Sequence, residues 1–375
     1  MQITVQVVQR LSPGGIETMA LDLANSQAAD QQQANYIISL EGNLSELIKD
    51  WPKLKPYRQQ IICLNKPQGW SYTTVKQLHQ LLLLLKANCV HTHHIGPLIY
   101  GGLAARLAGI RHLIHTEHDA WHLQNTKRRW LQNCILQITR PTFVADSNLV
   151  AQQAKQLLNY QNIKVIYNGI DTSRFTFGAK QAAREQFNLP SNVSLIGCAG
   201  RLEAVKGQAV LIDALSQLPE HIHLAIAGQG SCLEKLQQQT QRLGLSQRVH
   251  FVGLIDDMPR FYQSLDVFCL PSFNEGFPLA ALEAQACGIP VVMTKTGATS
   301  EAICPEFSQL VPPGDSLDMA KALNELITRL NDFNPDSVDA NTRAQIKTIA
   351  ETHRQFVMKF ASLKQMLSAY QALKA

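Results

Sequence analysis

The sequence predicts an α/β protein of two doubly wound, mainly parallel-sheet domains, and three observations lead there. Short β-rich apolar runs alternate with longer helical patterns almost throughout, the signature of parallel strands covered by helices on both faces. The alternation pauses near Tyr167–Leu195 and then restarts as a second series of similar length. At 375 residues the chain can supply each series with its own buried core.

In the first series the predicted strands are 3–8, 35–40, 61–64, 89–93, 112–116 and 142–145, with helices such as 16–27, 73–86 and 96–107 between them. In the second they are 195–199, 223–227, 249–252, 267–270, 290–293 and 310–311, separated by helices at 207–217, 231–243, 256–264 and 279–287. The turn Asn168-Gly169-Ile170-Asp171 begins the linker. From about Ser337 the chain is strand-free and amphipathic, with Phe356, Phe360, Leu363, Leu367 and Tyr370 at three- and four-residue steps, a pattern that predicts one long final helix. The expected domains are 1–170 and 171–355, followed by a terminal helix at 356–375.

Composition narrows the function classes. Hydrophobic residues make up 45% of the chain and charged residues 17%, which fits a globular protein and excludes disorder. Residues 1–165 carry 16 Lys and Arg against 9 Asp and Glu, whereas the remainder carries 18 against 20. A basic first half beside a near-neutral second half suits an anionic surface or substrate on one domain. The eight cysteines form no C-x-x-C pair and read as small buried hydrophobes in a reducing compartment. The first ten residues read as a strand rather than a signal peptide, and no run is long enough to span a bilayer. A cytoplasmic protein is expected, soluble or peripheral on a membrane face. No recognition motif for nucleic acid accompanies the modest charge.

The most informative stretch runs from Val249 to Val292. After the strand-like VFCLPS comes a polar loop ending in Glu275-Gly276-Phe277-Pro278, and a helix then starts with Pro278 in its first turn. The N–H groups at 276–279 and the helix dipole would suit an anionic or hydroxyl-rich ligand. Glu283 lies eight residues beyond Glu275, a separation that fits two ends of an extended ligand better than a proton shared by paired acids. Either glutamate alone would read as a helix cap or a solvated side chain.

This E-x7-E arrangement, inside PSFNEGFPLAALEAQACGIPVV, resembles the retaining glycosyltransferases of the GT-B fold, particularly family 4. Further segments fall in the same order: SPGGIET at 12–18, HTEHD at 115–119, YNGID at 167–171, GRLEAVKG at 200–207, TGATSEAI at 296–303 and LVPPGD at 310–315. The resemblance covers nearly the whole chain. It implies two Rossmann-like domains facing across a cleft, with the final helix returning to the first. It also implies transfer of a hexose or N-acetylhexosamine from a nucleotide diphosphate sugar, most simply a UDP-sugar. The acceptor would be a sugar or a lipid-linked sugar in surface polysaccharide or lipopolysaccharide synthesis, and no metal or other cofactor would be used.

The same resemblance assigns roles. Arg201, a rigid fork, and Lys206, a mobile point charge, would clasp the departing diphosphate. Gly14 and Gly15 would let backbone approach the donor phosphate or the acceptor. Glu283 would hold the ribose hydroxyls, while Glu275 and the backbone of Gly276, Phe277, Pro278 and Leu279 would hold the transferred sugar. His118 would stand across the cleft near the reacting centre, and His91 and His93 would end a strand on the acceptor side.

Three rivals share parts of this pattern. Histidines between His91 and His122 invite a metal-dependent hydrolase, but His115 ends a strand and His122 lies well past it, so one shared face is doubtful. A dinucleotide-dependent oxidoreductase would place an acid like Glu41 after the second strand, yet the first loop lacks G-x-G-x-x-G. A sugar-nucleotide epimerase or a silent partner subunit would share the fold, and the intact Glu275, Glu283, Arg201 and Lys206 argue against silence. Finally, Trp51, Lys53, Lys55, Tyr57 and Arg58 in one stretch, and Trp121 to Trp130 with Lys127, Arg128 and Arg129 in another, suit an anionic membrane surface.

Overall fold

The computed structural model describes residues 2–26, 33–332 and 340–374, and the chain divides into two compact units. The first holds residues 1–168 and 364–375, the second 169–363. The first is a seven-stranded parallel sheet built from β1 (Gln2–Val8), β2 (Gln33–Ser39), β3 (Ile61–Cys63), β4 (Cys89–His93), β5 (His112–Glu117), β6 (Thr142–Ala145) and β7 (Ile163–Val165). Its spatial order is β3-β2-β1-β4-β5-β6-β7. Along β1 successive side chains enter opposite cores: Val7 packs with Ile38 and Val90, and Val8 with Leu21 and Ile37. This two-sided burial is why the strands read as continuous apolar runs.

The second unit repeats the plan with β8 (Ser194–Ala199), β9 (Ile222–Ala227), β10 (Val249–Gly253), β11 (Val267–Leu270), β12 (Val291–Thr294) and β13 (Gln309–Val311). Their order is β10-β9-β8-β11-β12-β13, again parallel. In each sheet the chain winds outward one way and then returns to the other side of its starting strand. The reversal falls between β1 and β4 in one sheet and between β8 and β11 in the other. The connections on either side of such a reversal leave toward opposite faces of the sheet, and the carboxyl ends of these strands are the usual place for a ligand on an open α/β sheet.

The two doubly wound sheets are those expected, with three local differences. β7 was not predicted, because its three residues follow the polar Tyr160-Gln161-Asn162 and are too few for a period. The helix expected at 96–107 is Ile95–Pro97, a wider π-type turn over Leu98–Gly102, and Leu103–Leu107, which hydrophobic spacing over so short a span cannot distinguish from one helix. The final helix is two: Ala340–Phe360 and Leu363–Ala372.

The break at Ala361–Ser362 has a cause far away in sequence. Ile170 N–H donates to Ala361 O at 2.8 Å, and Leu363 N–H donates back to Ile170 O at 2.9 Å. Arg354 ties the preceding helix to the second unit, donating to the carbonyls of Phe175, Ala286 and Thr172 at 2.7, 2.9 and 2.7 Å. The handover between units therefore comes at 363/364 rather than at the expected 355/356. Gln27 of the predicted first helix and residues 337–339 of the predicted tail lie outside the described residues. Among the described residues, no helix is long and apolar enough to cross a membrane, and all eight cysteines are free thiols.

Candidate functional site

In the second unit the expected residues gather at the β8/β11 reversal. Gly207 adopts φ 68°, and a Cβ there would lie 2.0 Å from Pro271 O, so only glycine lets the loop after β8 touch the loop after β11. Phe273 N–H donates to Val205 O at 2.8 Å and zips the two loops together. This contact delivers Lys206, whose Nζ lies 2.7 Å from Glu275 Oε1. Ser272, fully buried, donates to the same oxygen at 2.5 Å. Gly297, at φ 52°, passes so close to Glu275 O that a Cβ would stand 1.6 Å from it. Glu275 is thus fixed by side chain and backbone alike, and the cap-or-solvated alternative does not describe it.

The helix after this loop spans Leu279–Ala286 with Pro278 at its N-cap. The N–H donors expected at 276–279 are fewer than four. Pro278 has none, and Leu279 donates its own to Phe277 O at 3.0 Å. Gly276 instead offers its carbonyl to Ala298 N–H at 3.2 Å. Glu283 lies on the same helix and accepts a 2.7 Å bond at Oε2 from the buried Tyr262 hydroxyl. Arg201 is exposed beside Gly200, and Gln208 Nε2 donates to its carbonyl at 3.0 Å. Glu275, Glu283, Lys206 and Arg201 therefore all lie in the second unit. Neither Ser272 nor Tyr262 was predicted.

The first unit carries different chemistry at its own reversal. Gly15 opens the helix after β1, and Gly14 O accepts the N–H of Thr18 at 3.0 Å. At the end of β4, His93 Nδ1 lies 3.2 Å from His118 Nε2, and His93 Nε2 lies 2.9 Å from Gln6 Oε1. His118 Nδ1 faces Asp146 Oδ2 at 3.3 Å, and Asn168 Nδ2 donates to the same oxygen at 3.2 Å. His91 Nε2 meets Thr116 Oγ1 at 2.7 Å, which meets Tyr370 Oη of the last helix at 2.9 Å.

Burial sets the charges here. It pulls His118 down to about 3, with His94 adding to the effect, and it pushes Asp146 well above the usual carboxylate range. The His118–Asp146 contact has the spacing of an ion pair, but burial disfavours the charged form of both groups. With Asp146 in its protonated form one polarity runs through these contacts: Asp146 O–H donates to His118, His118 to His93, and His93 to Gln6. His91 and His93 are likewise held well below 6.5 by burial and then by their histidine neighbours.

Sequence reading also missed Glu117. This fully buried carboxylate sits 3.0 Å from His94 Nδ1, accepts from Gln132 Nε2 at 2.7 Å, and lies 3.5 and 3.6 Å from His115 and His122. Burial would raise Glu117, but His115 and His94 beside it outweigh that and hold the group well below its ordinary value. For His122 the balance tips the other way: burial lowers it, yet Asp119, Glu117 and Gln132 carry it up to about 9. Three of the histidines of the hydrolase rival, His94, His115 and His122, thus surround one carboxylate. Among the described residues, no three His, Cys, Asp or Glu side chains are placed to hold a metal ion.

Comparisons with known proteins bear on both units. Residues 13–174 match the model of Glycosyltransferase Family 4, and residues 179–345 match that of Glycosyl transferases group 1. An Escherichia coli UDP-Gal:alpha-D-GlcNAc-diphosphoundecaprenol alpha-1,3-galactosyltransferase is 26% identical over 91% of this chain and 91% of its own. A Corynebacterium jeikeium D-inositol 3-phosphate glycosyltransferase is 36% identical over 44% of this chain, and the match spans 43% of that relative's length. Among solved structures, Anabaena HepE in complex with UDP and glucose superposes with a TM-score of 0.82 at 22% identity, covering 99% of both chains. The fold is therefore the two-unit GT-B class.

Proposed function

This chain belongs to the family 4, group 1 glycosyltransferases, and from that premise we propose that it is a retaining, metal-independent enzyme using a UDP-sugar donor. It moves a hexose or N-acetylhexosamine to a sugar or lipid-linked acceptor at the cytoplasmic membrane face, in surface polysaccharide or lipopolysaccharide synthesis. The observation that carries the reading is the pairing of Lys206 with Glu275, with Glu283 eight residues further on. A cation for the departing diphosphate stands on the loop after β8, and one carboxylate for sugar hydroxyls and another for ribose hydroxyls stand on the stretch after β11. Arg201 supplies a second cation. His118, kept neutral, orients a hydroxyl without adding a fixed charge. The leaving phosphate takes the acceptor's proton, so no side chain is assigned as base.

HepE, described in complex with UDP-glucose and with UDP, and the galactosyltransferase named for a diphosphoundecaprenol acceptor support the donor and acceptor classes. The test is a panel of nucleotide sugars screened by thermal shift, followed by product nucleotide release and NMR of the product anomer. A stabilising UDP-sugar, acceptor-dependent release and an α-linked product from an α-linked donor are expected. Sugar-nucleotide conversion with acceptor absent would instead identify an epimerase.

The membrane part of the reading rests on one stretch, not two. Trp51 is buried in the first core and offers nothing to a lipid. Trp121 and Trp130 are exposed, and Thr126, Lys127, Trp130 and Leu131 line an open concavity. Aromatic rings beside Lys127, Arg128 and Arg129 suit an anionic interface. Reversing those three charges should lower binding to phosphatidylglycerol vesicles; unchanged binding would remove the membrane from the proposal.

A further inference from the structure

We propose that Tyr262 and Ser272 are positioning residues for the donor site: Tyr262 aims Glu283, and Ser272 aims Glu275, without either hydroxyl touching the donor. The proposal rests on the assignment of those two glutamates to ribose and sugar. A glutamate side chain has three rotatable bonds, and fixing it when a ligand arrives costs affinity or rate. A hydroxyl already bonded to one carboxylate oxygen removes that cost beforehand.

Both hydroxyls are built for this. Tyr262 lies on the helix Met258–Gln263, whose N-terminus is capped by Asp257 accepting from Arg260 N–H at 3.4 Å. Its ring is wedged among Phe175, Phe261 and Phe268, with centroids 6.0, 5.9 and 5.4 Å away. Only its hydroxyl is left to specify, and that points at Glu283 Oε2 from 2.7 Å. Burial and the neighbouring carboxylate push the phenol well above its ordinary range, so it stays a donor at any working pH. Ser272 is fully buried, and its carbonyl is pinned by Thr294 Oγ1 at 2.5 Å.

The two locks differ in one respect. Glu275 Oε1 is held by both Ser272 and Lys206. If a diphosphate claims Lys206, only Ser272 continues to hold that oxygen while the sugar reacts. Ser272 therefore acts on turnover, whereas Tyr262 acts on nucleotide affinity.

The experiment measures UDP affinity by calorimetry and donor kcat and KM for Tyr262→Phe and Ser272→Ala in the full chain, with Tm recorded for each. Tyr262→Phe is expected to raise the UDP Kd and donor KM together by about five- to tenfold with little change in kcat. Ser272→Ala is expected to lower kcat by about tenfold while UDP affinity stays put. Tyr262→Phe should add nothing in a Glu283→Gln background. Equal losses in affinity and kcat tracking a lower Tm, or an undiminished Tyr262→Phe effect without Glu283, would overturn the proposal. If Glu275→Gln and Glu283→Gln are harmful while both hydroxyl variants behave as wild type, positioning alone is wrong. If the glutamate variants are themselves harmless, the donor assignment falls and takes the proposal with it.

Discussion

The two units solve one geometric problem with opposite chemistry. Each winds a parallel sheet with one reversal point, between β1 and β4 or between β8 and β11, the usual place for a ligand on such a sheet. At the second reversal the groups are an ammonium and two carboxylates, each carboxylate braced by a hydroxyl. At the first they are imidazoles that burial keeps neutral, chained through His93 and His118 to Asp146. A nucleotide diphosphate needs fixed charge and hydroxyl acceptors, the kinds of group that stand at the second reversal. A hydroxylic acceptor at a reacting centre is better served by groups that can orient a proton without imposing a charge. The comparison teaches that the repeated fold sets where each reversal falls, while local burial sets the charge of the groups found there.

The comparison can be broken by substitutions on either side. The largest effect is expected from Glu275→Ala, a loss of turnover by about two to three orders of magnitude with the protein still folded by circular dichroism. Glu283→Ala should follow, weakening UDP by about tenfold or more in calorimetry. His118→Ala, on the neutral side, should cost less, about tenfold in kcat, because no charge is removed. If His118→Ala exceeds Glu275→Ala, the division of labour between the units is reversed.

The smallest effect is on stability against pH. The folded His118 has a value near 3, so as pH falls below about 6.5 the unfolded chain binds a proton that the folded chain refuses. Stability then drops by up to about 1.4 kcal/mol per pH unit from this group alone. His122 acts in the other direction. Raised to about 9, it contributes stability that is whole below about 6.5 and lost as pH climbs through 9. Melting curves should show His118→Asn flattening the acid fall and His122→Gln flattening the alkaline one. Parallel wild-type and variant curves would show that these histidines do not titrate as their surroundings dictate.

Much of this was legible in the sequence because the signals were local. The strand 267–270, the Glu275-to-Pro278 turn and the helix after it are read within 267–286, and periodicity and capping are local properties. Apart from Ser272, three residues before its partner Glu275, what was missed in the sites involves partners far apart in sequence. Asp146 reaches back 28 positions to His118, Glu117 reaches 15 to Gln132, and Tyr262 reaches 21 to Glu283. Nothing in the residues beside a lone Asp or Tyr says which distant side chain it will meet. The break at Ala361–Ser362 was hidden for the same reason: the apolar stripe runs on through it, and Ile170 lies nearly two hundred residues upstream.

That break also has a bearing on how the protein comes into being. The end of the chain is bonded to the sheet that begins with β1: Tyr370 reaches Thr116, and Lys374 Nζ bonds Thr4 Oγ1 at 3.1 Å. On a ribosome the opening unit is translated first yet must wait for the whole second unit to emerge before its last piece arrives. In the interval Thr116, and through it the His91 strand, lacks a lid. Translation order and folding order therefore part company here, and the nascent first half would be the stage most in need of a chaperone.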